Sequence, residues 1–277
     1  MGPVNVSSVP QRSPFRYPGG KSWLQPRLRQ AFEKVEFFVE PFAGGASSSL
    51  LALCEEKADN VVINEIDPSV RVVWDVIFSE QNENLCELIE NFNFTYKNVL
   101  KIVKSVPKND LDFAFKTIIR NRANHGGKLA KGTGLMKKGD GTGKGIASRW
   151  YPETISKRIR TLYPLRSKVT VSGLDGLECI KKYADKESCF FLIDPPYTAS
   201  KKSPGTRLYD FHELDHNELF ELMNTVEGSF LMTYDIDEEV YNLSKKYGFS
   251  ISEIPMTGTQ NKVQKESLIG DDLAWLN

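Results

Sequence analysis

The sequence predicts an α/β protein with a mostly parallel β-sheet that is covered by helices on both faces. Short apolar runs rich in β-branched and aromatic residues alternate along the chain with stretches of helical spacing. The composition, with 40% hydrophobic and 26% charged residues, is that of an ordinary globular protein. A chain of 277 residues can form one large domain that carries a smaller insertion.

The alternation defines the predicted elements and one interruption. Strands are predicted at residues 36–40, 60–64, 168–171, 189–193, 229–233 and 249–254, and helices at residues 46–57, 68–78, 174–183, 215–226 and 237–247. Between about residues 80 and 165, helical patterns at 84–91, 96–105 and 111–122 lead into a glycine- and lysine-rich loop from His125 to Trp150. We therefore expect a main domain of residues 1–80 and 165–277 and an inserted subdomain of residues 81–164.

Composition also argues against several classes of protein. No segment approaches the roughly 20 apolar residues of a membrane helix, and the N-terminus lacks the pattern of a secretion signal, so we expect a cytoplasmic protein. Four scattered cysteines and three histidines do not form a common metal site, so we expect no metal or redox cofactor. Lys+Arg and Asp+Glu both number 36, so the net charge neither favours nor excludes nucleic acid.

A glycine-bearing turn follows the first predicted strand. Gly44 and Gly45 would let the backbone turn sharply and let a ligand approach it closely, although turn geometry alone explains them equally well. The next strand ends in Glu65 and Asp67, where an acidic side chain would hold the ribose hydroxyls of a nucleotide-like ligand. Either carboxylate alone could be solvated surface, but the combination favours an adenosyl-containing cofactor.

The most specific motif is Asp194-Pro195-Pro196-Tyr197, which follows a fully apolar strand. The prolines fix the backbone and lack N–H donors, which leaves carbonyls able to accept hydrogen bonds. The exocyclic amine of adenine is a poor nucleophile, and Asp194 and the Pro195 carbonyl could accept its hydrogens during methylation. Tyr197 could stack on a base extruded from its duplex. The alternative is a Pro-Pro loop that closes a strand beside a solvated aspartate.

A second glycine pair precedes a helix that is predicted to begin near Ser22. Tyr17, Gly19, Gly20 and Lys21 could bring backbone and an ammonium group to a carboxylate- or adenine-bearing ligand. Without other support, the same residues are equally typical of a turn before a helix cap.

Taken together, the motifs FRYPGGK, FVEPFAGGAS, INEID and IDPPY, in this order and with an insertion before the last, resemble the Dam-like DNA adenine-N6 methyltransferases (D12 class, alpha group). The resemblance covers most of the chain. It implies a Rossmann-like S-adenosylmethionine-dependent methyltransferase sheet with an inserted, mainly helical DNA-recognition subdomain. The implied activity is methyl transfer to the N6 amine of adenine in a specific double-stranded DNA sequence, by base flipping and direct in-line transfer.

The resemblance also assigns roles to individual residues. Asp194, Pro195, Pro196 and Tyr197 would be catalytic. With the residues discussed above, the expected S-adenosylmethionine site comprises Tyr17, Gly19, Gly20, Lys21, Phe42, Gly44, Gly45, Glu65, Asp67, Asp175 and Asp194.

The chain departs from the family pattern in two places. Ala123-Asn124-His125-Gly126-Gly127 replaces an aromatic residue followed by Asn-Gly, so no target sequence can be inferred, and MTYDID replaces a more usual Ser-Asn pair.

Positive charge concentrates in the insertion of this otherwise neutral chain, which favours a surface that binds DNA phosphates. A merely solvated face is the alternative. Trp150 could wedge or stack against DNA. The expected DNA-binding residues are Arg120, Arg122, Asn124, Lys128, Lys137, Lys138, Lys144, Arg149 and Trp150.

Three other functions remain open from sequence. An N4-cytosine DNA methyltransferase uses the same amine chemistry, but commonly has serine in place of Asp194. A methyltransferase acting on RNA or protein would need neither the N-terminal FRYPGGK nor the basic insertion. A non-catalytic nucleic-acid-binding module would not need the Asp194–Tyr197 motif. For the adenine-specific enzyme we expect a monomer, with a cognate restriction endonuclease, if there is one, acting separately.

Overall fold

The computed structural model describes residues 9–17, 20–130, 132–137, 139, 145–196, 214–257 and 263–276. In this part of the chain, seven strands form one sheet in the order β3-β2-β1-β4-β5-β7-β6. The first five strands of this order are parallel, and β7 is antiparallel to both β5 and β6. The strands are β1 (Val35–Glu40), β2 (Ala58–Asn64), β3 (Val169–Ser172), β4 (Cys189–Ile193), β5 (Ser229–Asp235), β6 (Ser250–Thr257) and β7 (Val263–Gly270).

Ten α-helices connect or flank the described strands. They are α1 (Gln25–Ala31), α2 (Ser47–Cys54), α3 (Pro68–Ile77), α4 (Asn82–Glu90), α5 (Tyr96–Lys104), α6 (Asp110–Ala123), α7 (Pro152–Leu162), α8 (Gly176–Tyr183), α9 (His216–Met223) and α10 (Glu238–Tyr247). Short 3₁₀ helices occur at Lys21–Trp23, His125–Gly127, Ile146–Arg149, Tyr163–Lys168 and Ala274–Leu276. No helix among the described residues is both long and apolar enough to cross a bilayer.

The central strand β4 shows why the chain folds into three layers. All five of its residues are buried, as expected for a parallel strand that is covered on both faces. Phe190 and Leu192 belong to one buried cluster, whereas Cys189, Phe191 and Ile193 belong to another. Because successive side chains of a strand point to opposite faces, the two clusters are the two sides of the sheet. The predicted α/β fold class is confirmed.

The two faces are covered by different helices. Buried residues of α8, α9 and α10 pack on one face. The other face is covered by the helices α1 to α3, and the same apolar cluster continues into the four helices α4 to α7 that lie between α3 and β3. Leu85 of α4, Ile118 of α6 and Ile159 of α7 are fully buried in that cluster. The region between α3 and β3 therefore shares its apolar core with the sheet.

The sequence located most elements but not all of their ends. The predicted strand at 189–193 coincides with β4, and the terminal hairpin is present as β6 and β7. The helix α7, which directly follows the Gly/Lys-rich loop, was not predicted. Helix α3 begins where its sequence indicates, since Asp67 accepts hydrogen bonds from the Ser69 N–H and hydroxyl and Pro68 occupies the first helical position.

Asn64, fully buried at the end of β2, ties three strand-end loops together. Its amide nitrogen donates to the Pro41 carbonyl at 2.9 Å and to the Leu174 carbonyl at 3.0 Å, and its oxygen accepts from the Leu174 N–H at 3.0 Å. The loops after β1, β2 and β3 thereby keep a fixed relation at one edge of the sheet.

We predict that Asn64→Ala lowers the free energy of unfolding by about 2–3 kcal/mol, because it removes the hydrogen-bond partner of the buried Pro41 carbonyl and of the partly buried backbone groups of Leu174. Asn60→Ala on the same strand is the matched control, since the Asn60 amide makes one long contact of 3.4 Å to the Glu36 carbonyl. Chemical denaturation of both variants measures the difference. Equal losses in the two variants would contradict this role of Asn64.

Candidate active site

The predicted site residues meet at the carboxyl ends of the central strands. The chain runs outward from β1 through β2 to β3 and then returns to β4, so the switch point of the sheet lies between β1 and β4. Open α/β sheets bind their ligands at this point. The glycine turn follows β1, and Asp194-Pro195-Pro196 follows β4. Asp194 is partly exposed and Pro195 is buried.

Asp194 is held by two side chains from distant parts of the chain. The Lys21 ammonium lies 2.8 Å from Asp194 Oδ1, and the Thr233 hydroxyl of β5 donates to the same oxygen at 2.9 Å. Lys21 also lies 3.1 Å from Glu266 Oε1 of β7. The Lys21 and Glu266 side chains are each 5% exposed. We call Lys21, Asp194, Thr233 and Glu266 the Asp194 clamp.

Burial alone would lower the pKa of Lys21, but the charges and hydrogen bonds of Asp194 and Glu266 outweigh burial and raise that pKa. Lys21 therefore stays charged and keeps its ion pairs with Asp194 and Glu266. Sequence reasoning placed Lys21 at the cofactor; in the structure its ammonium contacts the Asp194 carboxylate.

Glu40 is a second buried carboxylate at the switch point, and sequence reasoning missed it. It ends β1, is 4% exposed, and accepts hydrogen bonds from the Ser49 N–H at 3.0 Å and from the Ser49 hydroxyl. Burial raises the pKa of Glu40 to about 8, and the charge of Asp194 acts in the same direction, while Ser49 and Lys21 oppose it. An acidic residue at the end of an apolar strand, in FVEP, was the available signal.

The glycine turn packs against Tyr17. Gly44 has a φ of 47°, and a Cβ atom there would lie 2.5 Å from the Tyr17 ring. A Cβ on Gly45 would lie 2.7 Å from the Tyr17 Cβ. The turn is fixed from inside by Trp74, whose indole N–H donates to the Gly44 carbonyl at 3.0 Å. Because both glycines lack a side chain, the Tyr17 side chain can pack directly against their backbone.

Glu65 lies at the end of β2, as predicted, and is buried. Its two carboxylate oxygens accept the Gly44 N–H at 2.8 Å and the Asp67 N–H at 2.9 Å. Burial raises the pKa of Glu65 to about 7. The carboxylate therefore links the glycine turn to the loop after β2.

The remaining cofactor residues surround an apolar edge. The Phe42 ring lies so close to the Gly176 backbone that a Cβ there would be 2.3 Å from it. Asp175 is exposed and caps α8 by accepting the Leu177 N–H at 2.9 Å. Ile66 and Leu174 beside it are exposed large hydrophobic residues.

This set fits an adenosyl group. A carboxylate at the end of β2 suits ribose hydroxyls, and the exposed apolar side chains of Ile66 and Leu174 suit the faces of an adenine ring. Asp67, in contrast, serves as the cap of α3. Gly20 precedes Lys21 and lines a neighbouring cleft that is rich in arginine side chains.

Several predicted site residues lie outside the described part of the chain. They are Gly19, Lys138, Lys144 and Tyr197. Of the described catalytic motif, Pro196 is partly exposed and follows the buried Pro195.

The predicted DNA-binding residues divide into two groups. Lys137 and Arg149 are exposed, and Lys128 is partly exposed. The other described members contact the chain itself: Arg120 donates to the Leu129 carbonyl, Arg122 to the Pro14 carbonyl and Asn124 to the Lys128 carbonyl, and the Trp150 ring stacks on Phe94 with centroids 4.4 Å apart. Arg122 and Asn124 are buried. Their contacts shape the region rather than present free groups at its surface.

The sheet order is that of a Rossmann-like α/β fold, and the described candidate site residues meet at its switch point. Residues 17–100 match the model of the D12 class N6 adenine-specific DNA methyltransferase family. This match confirms the predicted resemblance to the family over residues 17–100, and it indicates the predicted class of enzyme, an adenine-specific DNA methyltransferase that uses S-adenosylmethionine. The matched segment contains the Tyr17 motif, the glycine turn and β2, and it ends before Asp194.

No curated protein resembles the chain closely enough to count as a relative. Among solved structures, precorrin-6y C5,15-methyltransferase from Geobacter metallireducens is 9% identical over 89% of this chain and 82% of its own, with a TM-score of 0.36. SMU.1697c from Streptococcus mutans, described as a methyltransferase and solved with SAH, is 10% identical over 89% and 94%, with a TM-score of 0.36. The rRNA methyltransferase aviRa from Streptomyces viridochromogenes is 11% identical over 98% and 85%, with a TM-score of 0.33. Likenesses this weak carry no argument, so the fold rests on the strand order.

We predict that Glu40→Gln changes how stability depends on pH. The folded chain holds the Glu40 proton more tightly than the unfolded chain, since its pKa is about 8 against an ordinary 4.5. The stability that this proton contributes is complete below the unfolded pKa and is lost as the pH rises through the folded pKa. Between about pH 5 and 8, unmodified protein should therefore lose stability relative to Glu40→Gln, by up to about 1.4 kcal/mol per pH unit.

Chemical denaturation across this pH range makes the measurement. Glu36→Gln changes an exposed side chain on the same strand. Its free energy of unfolding should depend on pH in the same way as that of the unmodified protein. The raised pKa of Glu65 acts equally in all three proteins and cancels in the comparison. Parallel curves for Glu40→Gln and unmodified protein would show that Glu40 is ionised in the folded state.

Proposed function

We propose that the chain methylates the N6 amine of adenine within a specific double-stranded DNA sequence, after that adenine has been flipped out of the duplex. The observation that carries the proposal is the Asp194 clamp, which holds a carboxylate beside the Pro195 carbonyl at the switch point of the sheet. Chemistry on the exocyclic amine requires the base to leave the stack, and the partly exposed Asp194 at the switch point is accessible to such a base.

The proposed reaction is a direct in-line transfer without a covalent enzyme intermediate. S-Adenosylmethionine, when bound at Glu65, the glycine turn and Asp175, supplies an electrophilic methyl group on a sulfonium. The N6 lone pair forms a bond to the methyl carbon while the carbon–sulfur bond breaks, and the sulfur keeps that electron pair. N6 then returns to neutrality by releasing a proton to solvent.

The chain's own groups act on the amine. Asp194 and the Pro195 carbonyl accept the N6 hydrogens, which draws the lone pair out of the ring, and the negative carboxylate stabilises the positive charge that develops on N6. Lys21 and Thr233 fix the orientation of that carboxylate, so little reorganisation is needed when the base arrives. Tyr197, which follows the described motif, is proposed to stack on the base.

Residues 81–164 are proposed to recognise the target sequence, with residues 1–80 and 165–277 as the catalytic domain. The exposed side chains of Lys137 and Arg149 support phosphate contact in this region. The enzyme is proposed to act as a cytoplasmic monomer in a restriction-modification or phage-type modification system, with any cognate endonuclease acting separately. The resemblance to Dam-like enzymes supports this setting.

The test is incubation with labelled S-adenosylmethionine and unmethylated genomic DNA, followed by mass spectrometry of the nucleosides. We expect N6-methyladenine from the unmodified enzyme. Asp194→Ala should reduce turnover by at least about 10³-fold, because it removes an interaction that strengthens as the charge develops, while cofactor binding measured by calorimetry should be largely retained. Asp185→Ala, at an exposed position before β4, should be as active as the unmodified enzyme.

Other outcomes would contradict this proposal. N4-Methylcytosine as the product would identify the enzyme as an N4-cytosine DNA methyltransferase. Loss of cofactor binding together with activity in Asp194→Ala would give that residue a structural role. The absence of any methylated DNA would favour an RNA or protein substrate.

A further inference from the structure

An arginine-lined cleft lies beside the active site, between the N-terminal segment, the start of α2 and the region between α3 and β3. Its volume is about 420 Å³. Five guanidinium side chains line it, and no aspartate or glutamate does so among the described residues. We call it the arginine cleft; its arginines are Arg12, Arg16, Arg122, Arg149 and Arg158.

Four of these charges are not neutralised within the described part of the chain. Arg12 pairs with Glu55 at 2.7 Å, whereas no carboxylate there pairs with Arg16, Arg122, Arg149 or Arg158. Burial, together with the charge of Arg149, lowers the pKa of Arg16. The pKa of Arg122 is lowered to about 10 by burial and by the charges of Arg158 and Arg16. The folded chain therefore holds like charges together at a cost that a bound anion would relieve.

The cleft is built by specific contacts. Asn121 accepts the Arg16 N–H at 2.9 Å and donates to the Arg16 carbonyl at 3.1 Å. Arg158 donates to the Ser13 carbonyl at 3.0 Å, and Arg122 donates to the Pro14 carbonyl. These bonds fasten the N-terminal segment to α6 and α7, so the arginines converge on a fixed space.

The buried side chain of Arg122 is the observation that indicates a bound anion. It is 4% exposed and lines the cleft, and its Nε donor has no hydrogen-bond partner in the described structure. A buried donor of a charged group without a partner is costly. Ser47 at the start of α2 also lines the cleft.

We propose that the arginine cleft binds a backbone phosphate of the DNA, next to the target adenine. This inference rests on the proposed function. The cleft extends to Gly20, whose chain neighbour Lys21 holds Asp194, so a phosphate bound there lies near the base that is modified. Arg149 and Tyr151 form its exposed rim, where a DNA strand can enter.

The charge of the cleft favours phosphate over the carboxylate of the cofactor. S-Adenosylmethionine carries a sulfonium and an ammonium besides its single carboxylate. The four guanidinium groups that have no carboxylate partner among the described residues would repel both of these cations. A phosphodiester is an anion without such groups, and arginine binds it through two parallel hydrogen bonds.

The experiment measures the affinity for a duplex as a function of salt concentration, together with the affinity for S-adenosylhomocysteine, for Arg149→Ala and Arg16→Ala. Each variant should bind DNA about tenfold more weakly at low salt, and the slope of log K against log salt should become shallower by about 1. Duplexes with and without the target sequence should be affected alike, since a phosphate contact reads no base. The affinity for S-adenosylhomocysteine should be unchanged.

Arg166→Ala is the matched control, since Arg166 is exposed on the 3₁₀ helix before β3 and does not line the cleft. It should leave the DNA affinity and the salt slope unchanged. Unmodified protein is assayed in parallel for N6-methyladenine. If it methylates DNA while both cleft variants bind DNA as it does, the inference is wrong and the proposed function stands.

Weaker S-adenosylhomocysteine binding with unchanged DNA binding would assign the cleft to the cofactor carboxylate and overturn the proposal. The absence of N6-methyladenine from the unmodified protein would instead count against the proposed function. Circular dichroism of each variant separates these effects from loss of the fold.

Discussion

The buried ammonium of Lys21 is the interaction on which the arrangement of the active site depends. It joins the N-terminal segment to the end of β4 and to the middle of β7, because it contacts both Asp194 and Glu266. A buried ion pair is stable only when its charges are satisfied by good geometry, and Thr233 completes the set by donating to the same Asp194 oxygen. The Asp194 motif, which supplies the proposed hydrogen-bond acceptors, and the Lys21 motif, which precedes the glycine turn, are therefore held together in one arrangement.

Much of the fold could be predicted because local signals agree with the global architecture. The apolar run of β4 and the helix signals around α3 are written in consecutive residues, so periodicity and caps reveal them. The helix α7 was not predicted, although Pro152 at its first position and Glu153 in its first turn are local start signals. The core is shared between the sheet and the helices α4 to α7, and this continuity follows from tertiary packing that a one-dimensional pattern does not contain.

The site was predicted where chemistry is concentrated in short motifs and missed where it depends on distant pairs. Glu65 and Asp194 each follow a strand, and that position alone brings them to the same edge of the sheet. Glu266 and Thr233 lie in the last third of the chain, and only the antiparallel pairing of β5 with β7 brings them together. Arg122 illustrates another case, since its charge predicted a DNA contact and the fold buries it against the N-terminal segment, where it lines the arginine cleft.

An experimental structure of the enzyme with a non-reactive cofactor analogue and a duplex that contains the target adenine would show whether the Asp194 clamp acts on a flipped base. We predict that adenine N6 lies within hydrogen-bond distance, about 2.7–3.2 Å, of both the Asp194 carboxylate and the Pro195 carbonyl, while Lys21 still contacts Asp194. An adenine that remains stacked in the duplex, or a Lys21 that has left Asp194 for the cofactor, would contradict this prediction.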